Sequence, residues 1–166
     1  MDTYLAIGSR REVREYSGEA LSQESIKRIL EAGRVSGSST NKQPWTFIVV
    51  ETKITELAEL VYAPDNVLGA KLVIAIALRG SASFDAGRAA QNMQLAAWNE
   101  GIGSCPNGIK DRETAAGLLG LGDDETPVIV LTFGYPARAV DPAKRTPEEW
   151  IERANRKPLD EVSRRI

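Results

Sequence analysis

Apolar positions along the chain follow two rhythms. Ile26, Ile29, Leu30 and Gly33 recur at helical spacing behind Ser22, a residue suited to capping, and predict a helix there. Three short unbroken apolar runs predict buried strands: Trp45 to Val50 (WTFIVV) directly after Pro44, Leu72 to Ile76, and Val128 to Phe133 (VIVLTF), closed by Gly134-Tyr135-Pro136. Between the first two runs, a helix is predicted from near Thr52, with Ile54, Leu57, Leu60 and Val61 on one face. The longest predicted helix covers about Asp85 to Glu100, rich in Ala and unbranched side chains, with Gly101 as its left-handed stop. Its small residues Ala86, Ala89, Ala90, Ala96 and Ala97 suit close approach by another backbone, or equally a core helix. Gly117, Gly120 and Gly122 are expected to end a helix and make a turn. A polar tail follows, with short helices around Pro147 to Arg153 and from Pro158 onward, each opened by proline. Apolar strands separated by helices indicate an α/β fold whose sheet is covered on both faces.

A length of 166 residues suits one compact domain, taken to span 1–166 with a C-terminal arm from about 137. The net charge of −2 argues against a nucleic-acid partner, because neutralising phosphates needs a positive excess. The longest apolar stretch, around Leu72 to Leu78, is far too short to span a membrane. With no histidine, His-based triads and His-ligated zinc or haem are excluded. The lone Cys105 forms no internal disulfide or Cys-rich metal site, and no metal-ligand spacing is present. The cysteine count fits a reducing cytosol, and Met1-Asp2-Thr3 opens without a leader pattern, so a cytoplasmic location is expected. Chemistry must come from carboxylates, hydroxyls, Lys or Arg, or from a bound cofactor.

Three polar constellations bear on that choice. Ser9-Arg10-Arg11-Glu12-Val13-Arg14 places three guanidinium forks within five residues, suited to a phosphate monoester; a solvated helix end is the ordinary alternative. Ser36 to Trp45 (SGSSTNKQPW) leads into a strand and offers many small donors and acceptors, fitting a heteroaromatic edge or a polyol chain, or an ordinary polar loop. Gly101 to Ile109 (GIGSCPNGI) reads as a loop whose glycines let a flat ligand approach the backbone. It is no dinucleotide fingerprint, because it follows a helix instead of opening one after a strand. Asp123-Asp124-Glu125 reads as a solvated acidic turn.

In this order, the three constellations resemble the nitroreductase family of FMN enzymes. The resemblance is carried by R-R-x-x-R with a following aromatic (Arg10 to Tyr16), the S-S-x-N-x-Q-P-W block with its strand (Ser38 to Val50), and DAGRAAQNMQLAAWNEGIGSCP (Asp85 to Pro106). The G-Y-P strand end and the closing R-K-P-L-D-E (Arg156 to Glu161) complete it. The resemblance implies a three-layer α-β-α sandwich around a mixed sheet, assembled as a homodimer with FMN at the interface. It assigns Arg10, Arg11, Arg14 and Arg156 to the phosphate end of FMN and its neighbouring ribityl or pyrimidine groups. Ser38 and Ser39 would line the ring from the partner subunit, while Asn41 and Gln43 hydrogen-bond the flavin or its ribityl chain. Asn107 and Gly108 would bring a backbone N–H toward flavin N5, with Pro106 packed beside it.

The implied activity is ping-pong reduction of nitroaromatic, quinone or similar acceptors by NADH or NADPH, with no catalytic side chain. Another flavin reaction, such as dehalogenation, dehydrogenation or flavin breakdown, or a binding module without turnover, are the alternatives. Three departures from the family pattern stand out. Glu12 replaces a small hydroxyl residue, and is expected to turn away or pair with an arginine. Gly37 replaces a proline. Only Arg79 to Ser83 join the second strand to the long helix, where larger members insert a cover over the substrate side.

Overall fold

A computed structural model describes every residue from Met1 to Ile166. In chain order the first half runs α1 (Thr3–Ser9), α2 (Gln23–Arg34), β1 (Trp45–Val49), α3 (Ile54–Ala58), α4 (Pro64–Leu68) and β2 (Leu72–Arg79). The second half runs α5 (Ser83–Asn99), β3 (Gly103–Asn107), α6 (Arg112–Leu119), β4 (Glu125–Gly134), α7 (Pro147–Arg153) and α8 (Leu159–Val162). Residues 11–140 form the larger of two compact units, and residues 1–10 with 141–166 form the smaller.

The larger unit is a sheet in the order β1-β2-β4-β3 with a helical layer on each face. Leu72, Ile74, Ile76 and Leu78 of β2 face one way and pack with Ile29 of α2 and Ala86, Ala89, Met93 and Ala97 of α5. Val73 and Ala75 face the other way, onto Leu57 and Ala58 of α3, Val67 of α4 and Ala115 of α6. Both faces of β2 are therefore dry, which accounts for its unbroken apolar run. That run reports burial, not strand direction: all three strand pairings are antiparallel. The mixed character expected of the sheet reduces to one isolated parallel bridge, Glu12 to Ser104. Ala86, Ala89 and Ala97 lie against the sheet, so the core reading of these residues holds.

Local signals account for most element ends. The Ser22 hydroxyl accepts the Ser25 N–H at 3.0 Å and starts α2. Gly101, at φ 76°, ends the α5 region as expected. The helix expected from Thr52 is shorter, since α3 stops at Ala58 and Val61 instead bridges to Ile109. In the smaller unit, Asp2 caps α1 by accepting the Leu5 N–H at 3.0 Å, and Thr146 with Glu149 forms a capping box on α7. Trp150 lies buried there, donating its indole N–H to the Pro142 carbonyl at 2.9 Å.

One end of the sheet is closed by a carboxylate. Glu125, at the start of β4, accepts the Thr46 hydroxyl of β1 at 2.6 Å and pairs with Arg79 of β2 at 2.9 Å. The Thr46 hydroxyl above all, then the Gly122 N–H and the Arg79 charge, holds this carboxyl below its usual range. Its stabilising effect is therefore complete above the unfolded-state value, about 4.3, and disappears as pH falls through the lower folded value. Glu125→Gln is expected to lower the melting temperature at pH 7, with the difference from wild type closing in acid, as circular-dichroism melts across pH would record.

Candidate functional site

The basic segment straddles an element boundary. Arg10 caps the C-terminus of α1 through its N–H to the Ala6 carbonyl at 3.0 Å, so part of the cluster is indeed a helix end. Residues from Arg11 onward run along β3 and the end of β4. The Val13 N–H donates to Ser104 at 3.0 Å, the Ser17 N–H to Tyr135 at 2.8 Å, and the Ala137 N–H to Glu15 at 2.9 Å. Arg11 and Glu12 are half-buried, and Arg14 is exposed. Arg14 lines an open cleft together with Arg138, Glu12 and Glu15. Arg156 is exposed in the smaller unit, directly after Asn155, which is left-handed at φ 48°.

The second constellation is a loop held under strain. Ser36 is buried, donating to the Ala32 carbonyl at 3.1 Å and accepting from Asn92 of α5 at 2.8 Å. Gly37 lies against Arg88: a Cβ there would sit 2.3 Å from a guanidinium nitrogen, the flexible end of an exposed side chain that would have to swing aside. The Arg88 guanidinium also lies 5.7 Å from the centre of the exposed Phe84 ring. Beyond Gly37, Thr40, Asn41 and Gln43 all adopt left-handed backbone, at φ 48°, 57° and 49°. Each such residue costs about 1–2 kcal/mol, so the surroundings must hold them. The Ser38 hydroxyl does so by accepting the Gln43 N–H at 2.8 Å. Ser38 is therefore the loop's internal staple, while Ser39, Asn41 and Gln43 are exposed. The Gln43 side chain reaches back to the Asn41 carbonyl at 3.3 Å.

The third constellation is not a loop. Gly103–Asn107 forms β3, an outer strand, and Pro106 is tolerated there because an edge has no second neighbour for its missing N–H. Pro106 is exposed and Asn107 is buried. The Asn107 amide donates to the carbonyls of Cys105 at 3.0 Å and Val130 at 3.3 Å and to the Thr132 hydroxyl at 3.2 Å. Its oxygen accepts from Asn66 of α4 at 2.8 Å. Thr132 lies 3.0 Å from the Tyr16 hydroxyl, which donates to the Val13 carbonyl at 2.9 Å. Burial pushes the Tyr16 phenol up to about 12, so it stays a donor throughout the working range. The Asn107 side chain is thus a structural tie, and only the backbone of Asn107 and Gly108 is left to face a ligand.

Asn66, Thr132 and Tyr62 escaped the sequence reading. Thr132 had a signal, being the one hydroxyl inside an otherwise apolar strand core (VIVLTF). Asn66 and Tyr62 had none, because their importance comes from the chain returning to β3. Asn107→Ala is expected to cost on the order of 2 kcal/mol of stability without any ligand, since it takes away the oxygen acceptor of the buried Asn66 amide and the ties to Cys105, Val130 and Thr132. Urea denaturation would show this as a lower midpoint with an unchanged slope.

The chain matches the nitroreductase family over residues 7–70 and 62–135. A protein of Archaeoglobus fulgidus, provisionally named an NADH dehydrogenase/NAD(P)H nitroreductase, is 31% identical over 78% of this chain and 83% of its own length. One with the same provisional name in Methanothermobacter thermautotrophicus is 29% identical over 90% of this chain and 88% of its own. In fold, a provisionally named nitroreductase of Desulfovibrio desulfuricans, crystallised in complex with FMN, superposes with a TM-score of 0.81. It is 29% identical, covering 98% of this chain and 96% of that one. Sequence blocks, sheet order and relatives converge, and the chain belongs to the nitroreductase family.

Proposed function

We propose that this chain is an FMN-dependent NAD(P)H:acceptor oxidoreductase that acts as a homodimer. One observation carries the reading: the S-S-T-N-K-Q-P-W block, inside the family match, is a strained loop that turns two amide side chains outward. Strain of this kind persists where a ligand clamp needs it. Exposed amides with nothing but a neighbouring carbonyl to bind suit the edge of a flavin or its ribityl chain.

The chemistry FMN supplies when bound is two-electron transfer from a nicotinamide to an organic acceptor. The chain's own part is position and charge. Arg10, Arg11, Arg14 and Arg156 would hold the phosphate as permanently charged forks, a role that rests on the motif for all four. Asn41 and Gln43 would orient the cofactor, and Ser39 with the Ser38 backbone would line the ring from the partner subunit. The backbone N–H of Gly108 or Asn107 would donate toward the ring, and Pro106, exposed on β3, would pack beside it. No side chain acts as acid or base, and protons come from water. Dimerisation suits the outward side of α5, where Phe84, Gly87, Arg88 and Gln91 are exposed. Donor and acceptor then use one face in turn, which gives ping-pong kinetics.

Purified protein is expected to be yellow and dimeric by light scattering, and to lose its oxidised-flavin absorbance when mixed anaerobically with NADH or NADPH. A nitroaromatic, a quinone and a halogenated aromatic then separate nitroreductase chemistry from dehalogenation. Protein that is colourless, and stays so with added FMN, sinks the reading. Arg14→Ala is expected to raise the dissociation constant for FMN about tenfold, the worth of one partly exposed charge-assisted contact. Flavin fluorescence titration would measure it, with unchanged circular dichroism as the folding control.

A further inference from the structure

Tyr62 is 75% exposed, yet its backbone is held firmly. The Tyr62 N–H donates to the Gly108 carbonyl at 3.0 Å, and the Lys110 N–H donates to the Leu60 carbonyl at 2.9 Å. Between them Val61, fully buried, pairs with Ile109. The chain after α3 is therefore laced to the residues that follow β3. The Tyr62 ring rests directly over Gly108: a Cβ added there would lie 3.1 Å from Cδ2 and 3.5 Å from Cε2. Any side chain at position 108 would displace this ring, so the glycine serves the tyrosine as well as the backbone's access to a ligand.

This seat has a chemical consequence. A flat ligand lying against Gly108 also meets the Tyr62 ring, whose backbone is anchored by its N–H bond to the same glycine. No other cover is available from the β2–α5 connection, which consists of Gly80 to Ala82 and cannot fold over a ring. An exposed aromatic face on an anchored backbone is a good wall for a planar partner, through offset or edge-to-face contact. An octahedral or strongly hydrated acceptor gains nothing from it.

We infer that Tyr62 is the specificity-determining residue on the acceptor side, selecting planar aromatic acceptors by ring contact and not through its hydroxyl. The inference rests on the proposed function, with Gly108 at the flavin ring. The test uses FMN-loaded dimer as wild type, Tyr62→Ala and Tyr62→Phe. Titration calorimetry of 4-nitrobenzoate into oxidised protein, with no electron donor, reads binding alone. Turnover with 4-nitrobenzoate and with ferricyanide reads selectivity. Tyr62→Ala is expected to raise both the dissociation constant and the KM for 4-nitrobenzoate about fivefold, the size of one aromatic contact. Tyr62→Phe should match wild type, and ferricyanide turnover, flavin content and melting temperature should be the same in all three. An unchanged dissociation constant in Tyr62→Ala overturns the inference, as does Tyr62→Phe behaving like Tyr62→Ala or an equal loss with ferricyanide. Wild-type protein that takes up no FMN overturns the proposed function and this inference with it, whereas a loaded dimer with an indifferent Tyr62 overturns this inference alone.

Discussion

The larger unit depends on keeping β2 dry on both faces. A strand of Leu72, Val73, Ile74, Ala75 and Ile76 has no face that tolerates water, so helices must cover both sides of it. Pairing partners on both edges then satisfy its backbone, and the sheet extends to β1 on one side and to β4 and β3 on the other. With the interior committed to hydrocarbon, polar chemistry is driven outward, to the chain leading into β1 and the end of β3. Both lie next to strands of the packed sheet, so they inherit its support.

The β3 end shows what such support requires. This strand contains Gly103 and Pro106, which are poor strand formers, and beyond β4 it meets only a short bridge from Glu12 and Val13 at Ser104. Hydrophobic packing alone would leave it free to slip. The side chains of Asn66, Asn107, Thr132 and Tyr16 supply directional bonds instead, and they reach the Cys105 carbonyl, Val130 and the incoming Arg11–Ser17 segment together. A polar network with its partners in place fixes one register, because any shift would leave several buried groups unbonded at once. The Tyr62 lacing over Gly108 reinforces the same point from outside.

Much of this was legible in the residues, and the gaps have physical causes. Elements driven by burial or capping were readable: the helix behind Ser22, the strand cores of β1, β2 and β4, the α5 helix and the proline-led α7. The misses share one property, namely that their conformation is imposed from a distance. β3 read as a loop because its own residues disfavour a strand, and only the free edge of β4 makes it one. Strand direction was equally hidden, since an unbroken apolar run looks the same in parallel and antiparallel sheets. The motif blocks were recognisable as a set, but the division of labour inside them was not. Ser38 turned out to hold its own loop and Asn107 its own strand, which no composition reveals.

The contact of Gly37 with Arg88 makes the loop unevenly tolerant of bulk. The atom that a Cβ at 37 would meet is the far end of an exposed arginine, which can swing aside. The left-handed turns at Thr40, Asn41 and Gln43 are fixed in the backbone and have no such relief. The entrance of the loop therefore absorbs a larger residue by moving one side chain, and its middle does not.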